Sequence, residues 1–246
     1  MKIATYNILK GGSRRAHWTK MIEEQAVDVL LVQESYSPAE HLPPLLYPHS
    51  HVQSVWEMVQ QNGWGSAVYS SSGNLKQIFV SGFAGWVVGA EICGAFWQSS
   101  HLASTLVFSI HAPSRGESYS KQVNKLLDEI GRIANGREII LGGDFNLSIS
   151  NSSKSERPLS KHDLAIQVRL AEEFGLINCW TSANPCEPLP QTLRWTGDRT
   201  IPYHCDGLFV PKLWKNRLES CRVLSGDPWN QLSDHNPVIA EFLEPF

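Results

Sequence analysis

The sequence predicts a mixed-sheet α/β (α+β) sandwich formed by one domain over residues 1–246, and three observations predict it. Apolar runs that end on a polar or acidic residue recur along the chain. Amphipathic stretches separate some of these runs, while others follow one another with no helix between. That alternation favours mixed sheets over an all-parallel barrel. No compositional shift divides the chain, and no solenoid-length repeat is present.

Lys2–Ile8 reads as the first strand. Trp18, Met21, Ile22 and Gln25 follow at helical spacing, and Val27–Val32 is a buried strand that delivers Gln33 and Glu34 at its tip. Gly65–Ser70, Gly85–Ile92 and Thr105–Ile110 are further strands, the last leading into His111. Tyr119–Asn135 carries Val123, Leu126, Leu127, Ile130 and Ile133 on one helical face. Arg137–Leu141 is a strand running into Gly-Gly-Asp-Phe-Asn. Ser150–Ser155 reads as a loop, Leu164–Phe174 as a helix, Pro185–Pro202 as irregular chain, and His204–Val210 and Asn236–Phe242 as closing strands.

The composition is that of an ordinary folded globule: 42% hydrophobic and 18% charged residues with a formal net charge of −3. This balance argues against a protein that coats DNA by bulk electrostatics, while leaving room for a locally basic cleft. The five cysteines (Cys93, Cys179, Cys186, Cys205 and Cys221) are odd in number and contain no C-x-x-C pair, which speaks against a zinc ribbon or a full disulfide framework. No apolar run reaches membrane-spanning length, and the first residues lack the apolar core of a secretory signal. The expectation is a cytoplasmic monomer with reduced thiols and no membrane span.

Polar residues cluster just past the ends of the strands: Asn7, Glu34, His111, Asp144 with Asn146, Asp206, and Asp234 with His235. Singly, each has an ordinary reading as a turn residue or a hydrogen-bonded histidine. Together they matter, because strand ends on one edge converge and ligands bind there in open α/β folds. Four gathered carboxylates repel one another; at an effective dielectric of about 20, a pair about 5 Å apart costs about 3 kcal/mol. Such a cluster persists if it holds a cation, and its oxygen-rich donors point to Mg²⁺ or Mn²⁺ rather than zinc. His111 and His235 add groups that stabilise an oxyanion or move a proton near neutral pH.

Thr5-Tyr6-Asn7, Gln33-Glu34, Ile110-His111-Ala112-Pro113, Gly143-Asp144-Phe145-Asn146, Cys205-Asp206 and Ser233-Asp234-His235 resemble, in order, the motifs of the endonuclease/exonuclease/phosphatase superfamily. The resemblance runs from residue 5 to residue 240, and GDFN and SDHNPV are its most specific pieces. It implies a DNase I-like fold, a four-layer α/β/β/α sandwich of two mixed sheets. It also implies a divalent-metal-dependent hydrolase of phosphate esters. Glu34, Asn7 and Asp234 would form the metal environment, Asp144 would orient or deprotonate the attacking water, and Asn146 would hold that water or a phosphate oxygen. His235 would act at the phosphoryl group with Asp206 fixing its tautomer, and His111 would donate to a non-bridging or leaving oxygen.

Two departures stand out. The DNase I subgroup pairs its first histidine with a glutamate in an earlier strand, whereas Asn62–Ser70 contains no acid. The family commonly has Arg-Ile-Asp-Tyr where this chain has His204-Cys205-Asp206-Gly207; Pro202-Tyr203-His204-Cys205-Asp206 is instead similar to the Pro-x-x-Cys-Asp of inositol polyphosphate 5-phosphatases. For substrate, Arg14, Arg15, Arg115 and Arg194 are candidates to grip phosphates, and Trp195, with Trp18, Trp64 and Trp229, to stack on bases. A nuclease acting on DNA or RNA is the favoured reading. A phosphatase or phosphodiesterase on a small or lipid-derived ester is the alternative, and a non-catalytic member of the fold the third.

Overall fold

The computed structural model describes residues 1–11, 15–41, 53–60, 62–71, 74–93, 104–150, 159–195 and 203–243. Its strands are β1 (Lys2–Asn7), β2 (Val29–Ser35), β3 (Ser54–Met58), β4 (Gly65–Ser70), β5 (Asn74–Ile78) and β6 (Val87–Cys93). They continue as β7 (Thr105–His111), β8 (Ile139–Asp144), β9 (Leu176–Asn178), β10 (Asp206–Pro211), β11 (Leu218–Val223) and β12 (Val238–Phe242). The helices are α1 (Arg15–Thr19, prolonged by a π-turn over Lys20–Glu24), α2 (Pro38–His41), α3 (Tyr119–Ala134), α4 (Lys161–Val168, prolonged by a π-turn over Arg169–Glu173), α5 (Cys179–Ala183) and α6 (Trp229–Leu232).

Two six-stranded mixed sheets result, in the orders β11-β12-β1-β2-β4-β3 and β5-β6-β7-β8-β10-β9. Each has one parallel pair at its centre, β1·β2 and β7·β8. Their facing surfaces bury Ile3, Leu31, Val107, Ile140 and Leu208 in one shared apolar layer. The outer face of the first sheet packs Tyr6, Leu30 and Val32 against Trp18 and Met21 of the α1 segment. The outer face of the second packs Phe108, Ile110 and Leu141 against Leu126, Leu127 and Ile130 of α3. The architecture is therefore α/β/β/α, as the resemblance implied.

Both long helices are bounded by local chemistry. Ser118 caps α3 by accepting from the Lys121 amide, and the helix stops at Asn135 in a left-handed conformation. Ser160 accepts from the Asp163 amide at 3.1 Å, so α4 begins at Lys161, earlier than the apolar spacing from Leu164 suggested. The strands that periodicity missed, β3, β5, β9 and β11, are the four edge strands of the two sheets. Their residues are mostly half-buried or exposed, whereas β4, β7, β8 and β10 are buried throughout. An edge strand buries too few of its positions to print a strong apolar pattern. Of the expected loop at Ser150–Ser155, all but Ser150 lies outside the described residues, as does the end of the Pro185–Pro202 stretch.

Candidate active site

Strand register assembles the site before any side chain is considered. In the second sheet His111 lies beside Asp144, and Asp144 beside Asp206, so three chemistry-bearing residues occupy one cross-strand row. Period-two alternation turns all three toward the other sheet: His111 shares a face with Val107, Asp144 with Ile140, and Asp206 with Leu208 and Val210. In the first sheet Asn7 shares the inward face of Ile3 and pairs with Gln33. The polar groups thus form the wet end of the layer whose remainder is the inter-sheet core.

Glu34 does not follow that alternation. Beside Gln33 it belongs on the outer face, yet its backbone takes φ +54°, and the β2·β4 register slips between Val32 and Ser35. This irregularity re-aims the side chain into the cleft. There Oε1 accepts from Asn7 Nδ2 at 3.2 Å and Oε2 from the Lys10 amide at 2.9 Å. The same Asn7 amide donates to Asp144 Oδ2 at 3.1 Å and so links the two sheets. Below it, Gln33 Nε2 donates to Ser109 Oγ at 2.9 Å, and that hydroxyl donates to the Val32 carbonyl at 2.9 Å.

His235 enters from the turn before β12. Its Nδ1 lies 2.9 Å from Asp206 Oδ2, and its Nε2 lies 3.7 Å from Asp144 Oδ2 and 3.9 Å from Asp234 Oδ1. Ser233 Oγ fixes the turn, donating to the Asn7 carbonyl at 2.8 Å and accepting from the His235 amide at 3.1 Å. Asn146, at φ +53°, donates its amide to Asp144 Oδ1 at 2.9 Å and its side chain to the Ala112 carbonyl at 3.1 Å. His111 Nε2 faces Glu34 Oε1 at 3.7 Å and Asp144 Oδ2 at 3.9 Å, with its ring against Trp64 and Trp86.

The two histidines are electrostatic opposites. Burial holds His111 down to about 4, so it is neutral at pH 7. Burial also acts to lower His235, but the charges of Asp206, Asp144 and Asp234 together outweigh it and push the ring up to about 10. Burial raises the carboxyls of Glu34 and Asp144 above the usual range, with hydrogen bonds from Asn7 and Asn146 acting in the opposite sense.

The donor set fits a hard cation. Glu34 and Asp144 offer carboxylate oxygens at the Asn7 amide, Asp234 Oδ1 faces His235 Nε2 at 3.9 Å, and among the described residues Asp234 Oδ1 is buried without a hydrogen-bond partner. An orphaned buried carboxylate oxygen is costly unless a cation or water meets it. Ligand atoms of Asp144, Cys205, Asp206 and His235 also lie within 4.8 Å of one another. That second group is a hydrogen-bonded network: Asp206 accepts from His235 and from the Cys205 thiol at 3.5 Å, and burial raises that thiol well above its ordinary value.

The rim is more dispersed. Arg14 lies outside the described residues, and Arg15 is the first residue of α1. Arg115 donates to the Gly82 carbonyl at 2.5 Å and stacks over Trp86, whose ring also lies against His111 and Trp64. The Arg194 guanidinium donates to Ser233 O, His235 O and Asn236 Oδ1. Trp195 is 56% exposed, whereas Trp18 is buried behind the first sheet and Trp229 packs on Tyr6. Sequence reasoning did not single out Trp86 or Ser109, which lie in apolar runs without a motif of their own, whereas Thr192 opens the Thr192–Trp195 stretch that resembles the family's Thr-x-x-Trp loop.

The profile of the Endonuclease/Exonuclease/phosphatase family matches residues 4–235. No curated protein sequence matches the chain. Among solved structures, a 3′ phosphatase from Neisseria bound to product DNA hairpin aligns with TM-score 0.73 and 19% identity over 99% of each chain. An AP endonuclease from Archaeoglobus fulgidus aligns with TM-score 0.70 and 17% identity over 98% of this chain and 99% of its own. The endonuclease domain of a telomere-specific non-LTR retrotransposon aligns with TM-score 0.67 and 16% identity over 98% and 97%. At these identities the likeness concerns the fold, which is DNase I-like.

Proposed function

The chain belongs to the endonuclease/exonuclease/phosphatase family, and from that membership we propose that it is a divalent-metal-dependent phosphoesterase whose substrate is a nucleic-acid phosphodiester. One observation carries the reading. A continuous run of contacts leads from Asp206 through His235, Asp144 and Asn7 to Glu34, joining both sheets at one edge. The structural neighbours named as an AP endonuclease and as a retrotransposon endonuclease domain support the choice of a nuclease over a smaller ester.

Glu34, Asn7 and Asp234 would hold Mg²⁺ or Mn²⁺, which when bound supplies Lewis acidity to a phosphoryl oxygen. Asp144 is the base or orienting group for water, since it is a buried acceptor with a raised proton affinity. Asn146 stands next to it to hold that water or a phosphate oxygen. The Asp206 carboxylate accepts from Nδ1 of His235 and directs Nε2–H toward the phosphoryl group, and the cationic ring offsets charge that develops there. His111 is neutral and contributes a single N–H toward a non-bridging or leaving oxygen. The two tryptophans beside it exclude water from that side.

The test is a panel of single- and double-stranded DNA, abasic DNA, RNA, bis-(p-nitrophenyl) phosphate and inositol phosphates, with Mg²⁺, Mn²⁺ or EDTA. The expected result is metal-dependent cleavage of a nucleic acid, with binding that weakens steeply as salt rises. Turnover confined to small esters would move the assignment to a phosphatase or small-ester phosphodiesterase. No metal-dependent turnover of any substrate would refute the reading.

A further inference from the structure

The segment Gln191–Arg194 has no regular structure beyond bridges from Leu193 to Tyr203 and to His235, yet it touches both loops that carry the Asp206–His235 pair. On one side, buried Thr192 accepts at Oγ1 from the amides of Cys205 at 3.0 Å and Asp206 at 3.1 Å. On the other side, the Asn236 amide donates to the Thr192 carbonyl at 2.7 Å, and the Arg194 amide donates to the Asp234 carbonyl at 2.8 Å. The Arg194 side chain then folds over the same turn. Its Nη2 donates to the carbonyls of Ser233 and His235, and its Nη1 to Asn236 Oδ1. Asn236 Nδ2 closes the circuit on the Gln191 carbonyl at 2.9 Å.

We propose that Arg194 is a positioning residue: its guanidinium fixes the Ser233–Asn236 turn so that His235 stays on Asp206 and Asp234 stays at the metal rim. This rests on the phosphoesterase reading above and deepens it. A planar fork with fixed N–H directions serves three acceptors of one turn at once, which a lysine point charge cannot do. Its terminal nitrogens are oriented by the oxygens of the catalytic turn, so its work is done before substrate arrives. Releasing the turn moves two site residues together, and a misplacement of about 1 Å costs about 100-fold in rate.

Arg194→Lys and Arg194→Met decide the matter with two readouts. The first is steady-state kinetics across a salt series on the substrate the panel identifies. The second is the His235 ring Nδ1–H resonance in metal-free protein carrying ¹⁵N-histidine. The positioning role predicts that kcat falls about 100-fold in both variants with KM and salt slope unchanged, and that the Nδ1–H signal moves or is lost. A substrate-phosphate role gives the opposite pattern and overturns the proposal: kcat kept, KM raised, the salt slope reduced by about 0.9 on duplex DNA, and activity largely retained in the lysine variant. If the unaltered protein shows no phosphoesterase activity, the functional reading fails alone. The His235 resonance still judges the clamp, and an unchanged spectrum in Arg194→Met sinks it. Should Arg194→Met not fold, Arg194→Lys decides on the same measurements.

Discussion

His235 and His204 sit two strand-ends apart in character, although both are buried. Three carboxylates surround His235 and keep it cationic through the neutral range. Among the described residues His204 has only the Pro190 carbonyl, 2.8 Å from Nδ1, and no hydrogen-bond partner at Nε2, and burial holds it down to about 4. A ring that is neutral when folded stabilises the fold above its unfolded value of about 6.5, and that stability is lost as pH falls toward 4. The shift is worth about 3 kcal/mol. In urea melts between pH 7 and pH 4, the acid loss of stability should therefore be smaller by about that amount in His204→Gln. At the Asp206–His235 pair, Asp206→Asn keeps the shape but removes the nearest of the charges that keep the ring cationic and aligned, and kcat should fall by roughly a thousandfold to ten-thousandfold. Glu34→Ala, Asp144→Ala and His235→Ala should each fold and lose metal-dependent hydrolysis; retained turnover in Asp144→Ala or His235→Ala would remove the roles given to them.

At the level of elements, β8 is the strand that brings the sheets' chemistry into line, because it pairs with β7 on one side and β10 on the other. It passes Ile110 so closely at Gly143, where φ is +151°, that a Cβ would lie 1.8 Å from the Ile110 carbonyl oxygen. Backbone cannot yield as a flexible side chain does. Gly143→Ala should cost about 3 kcal/mol or more and displace Asp144 relative to His111, read as a lower melting temperature together with lost activity. The central strands were legible in the sequence because burial on both faces writes an unbroken apolar run. The edge strands β3, β5, β9 and β11 were not, since each is paired on one side only and keeps polar residues. Their existence follows from partners distant in sequence.

At the scale of the whole molecule, two sheets are pressed together with acids at one end of the shared layer, and the arrangement costs stability when no cation is present. Burial already holds the Glu34 carboxyl toward its neutral form. A cation that binds only the folded state at about 100 times its Kd adds about 2.7 kcal/mol, or roughly 5–10 °C for a chain this long. Mg²⁺ should raise the melting temperature of the protein by that order. Glu34→Gln should melt above the unaltered protein in EDTA and below it in saturating Mg²⁺. A variant that is less stable in both conditions would show that Glu34 serves the fold rather than the cation. Among the described residues no helix is long and apolar enough to cross a membrane.

The amino-acid order alone determined the central strands and the long helices, because burial and helical spacing are written locally, and it marked Asn7, Glu34, His111, Asp144, Asp206, Asp234 and His235 as candidates by their place at strand ends and their likeness to the family motifs. Tertiary structure decided the rest: that Glu34 leaves its strand's alternation to meet Asn7, and that Arg194 turns onto the loop of His235. Both depend on a backbone irregularity or on acceptors some forty residues away. Only closure of the two sheets brings those partners within hydrogen-bonding distance.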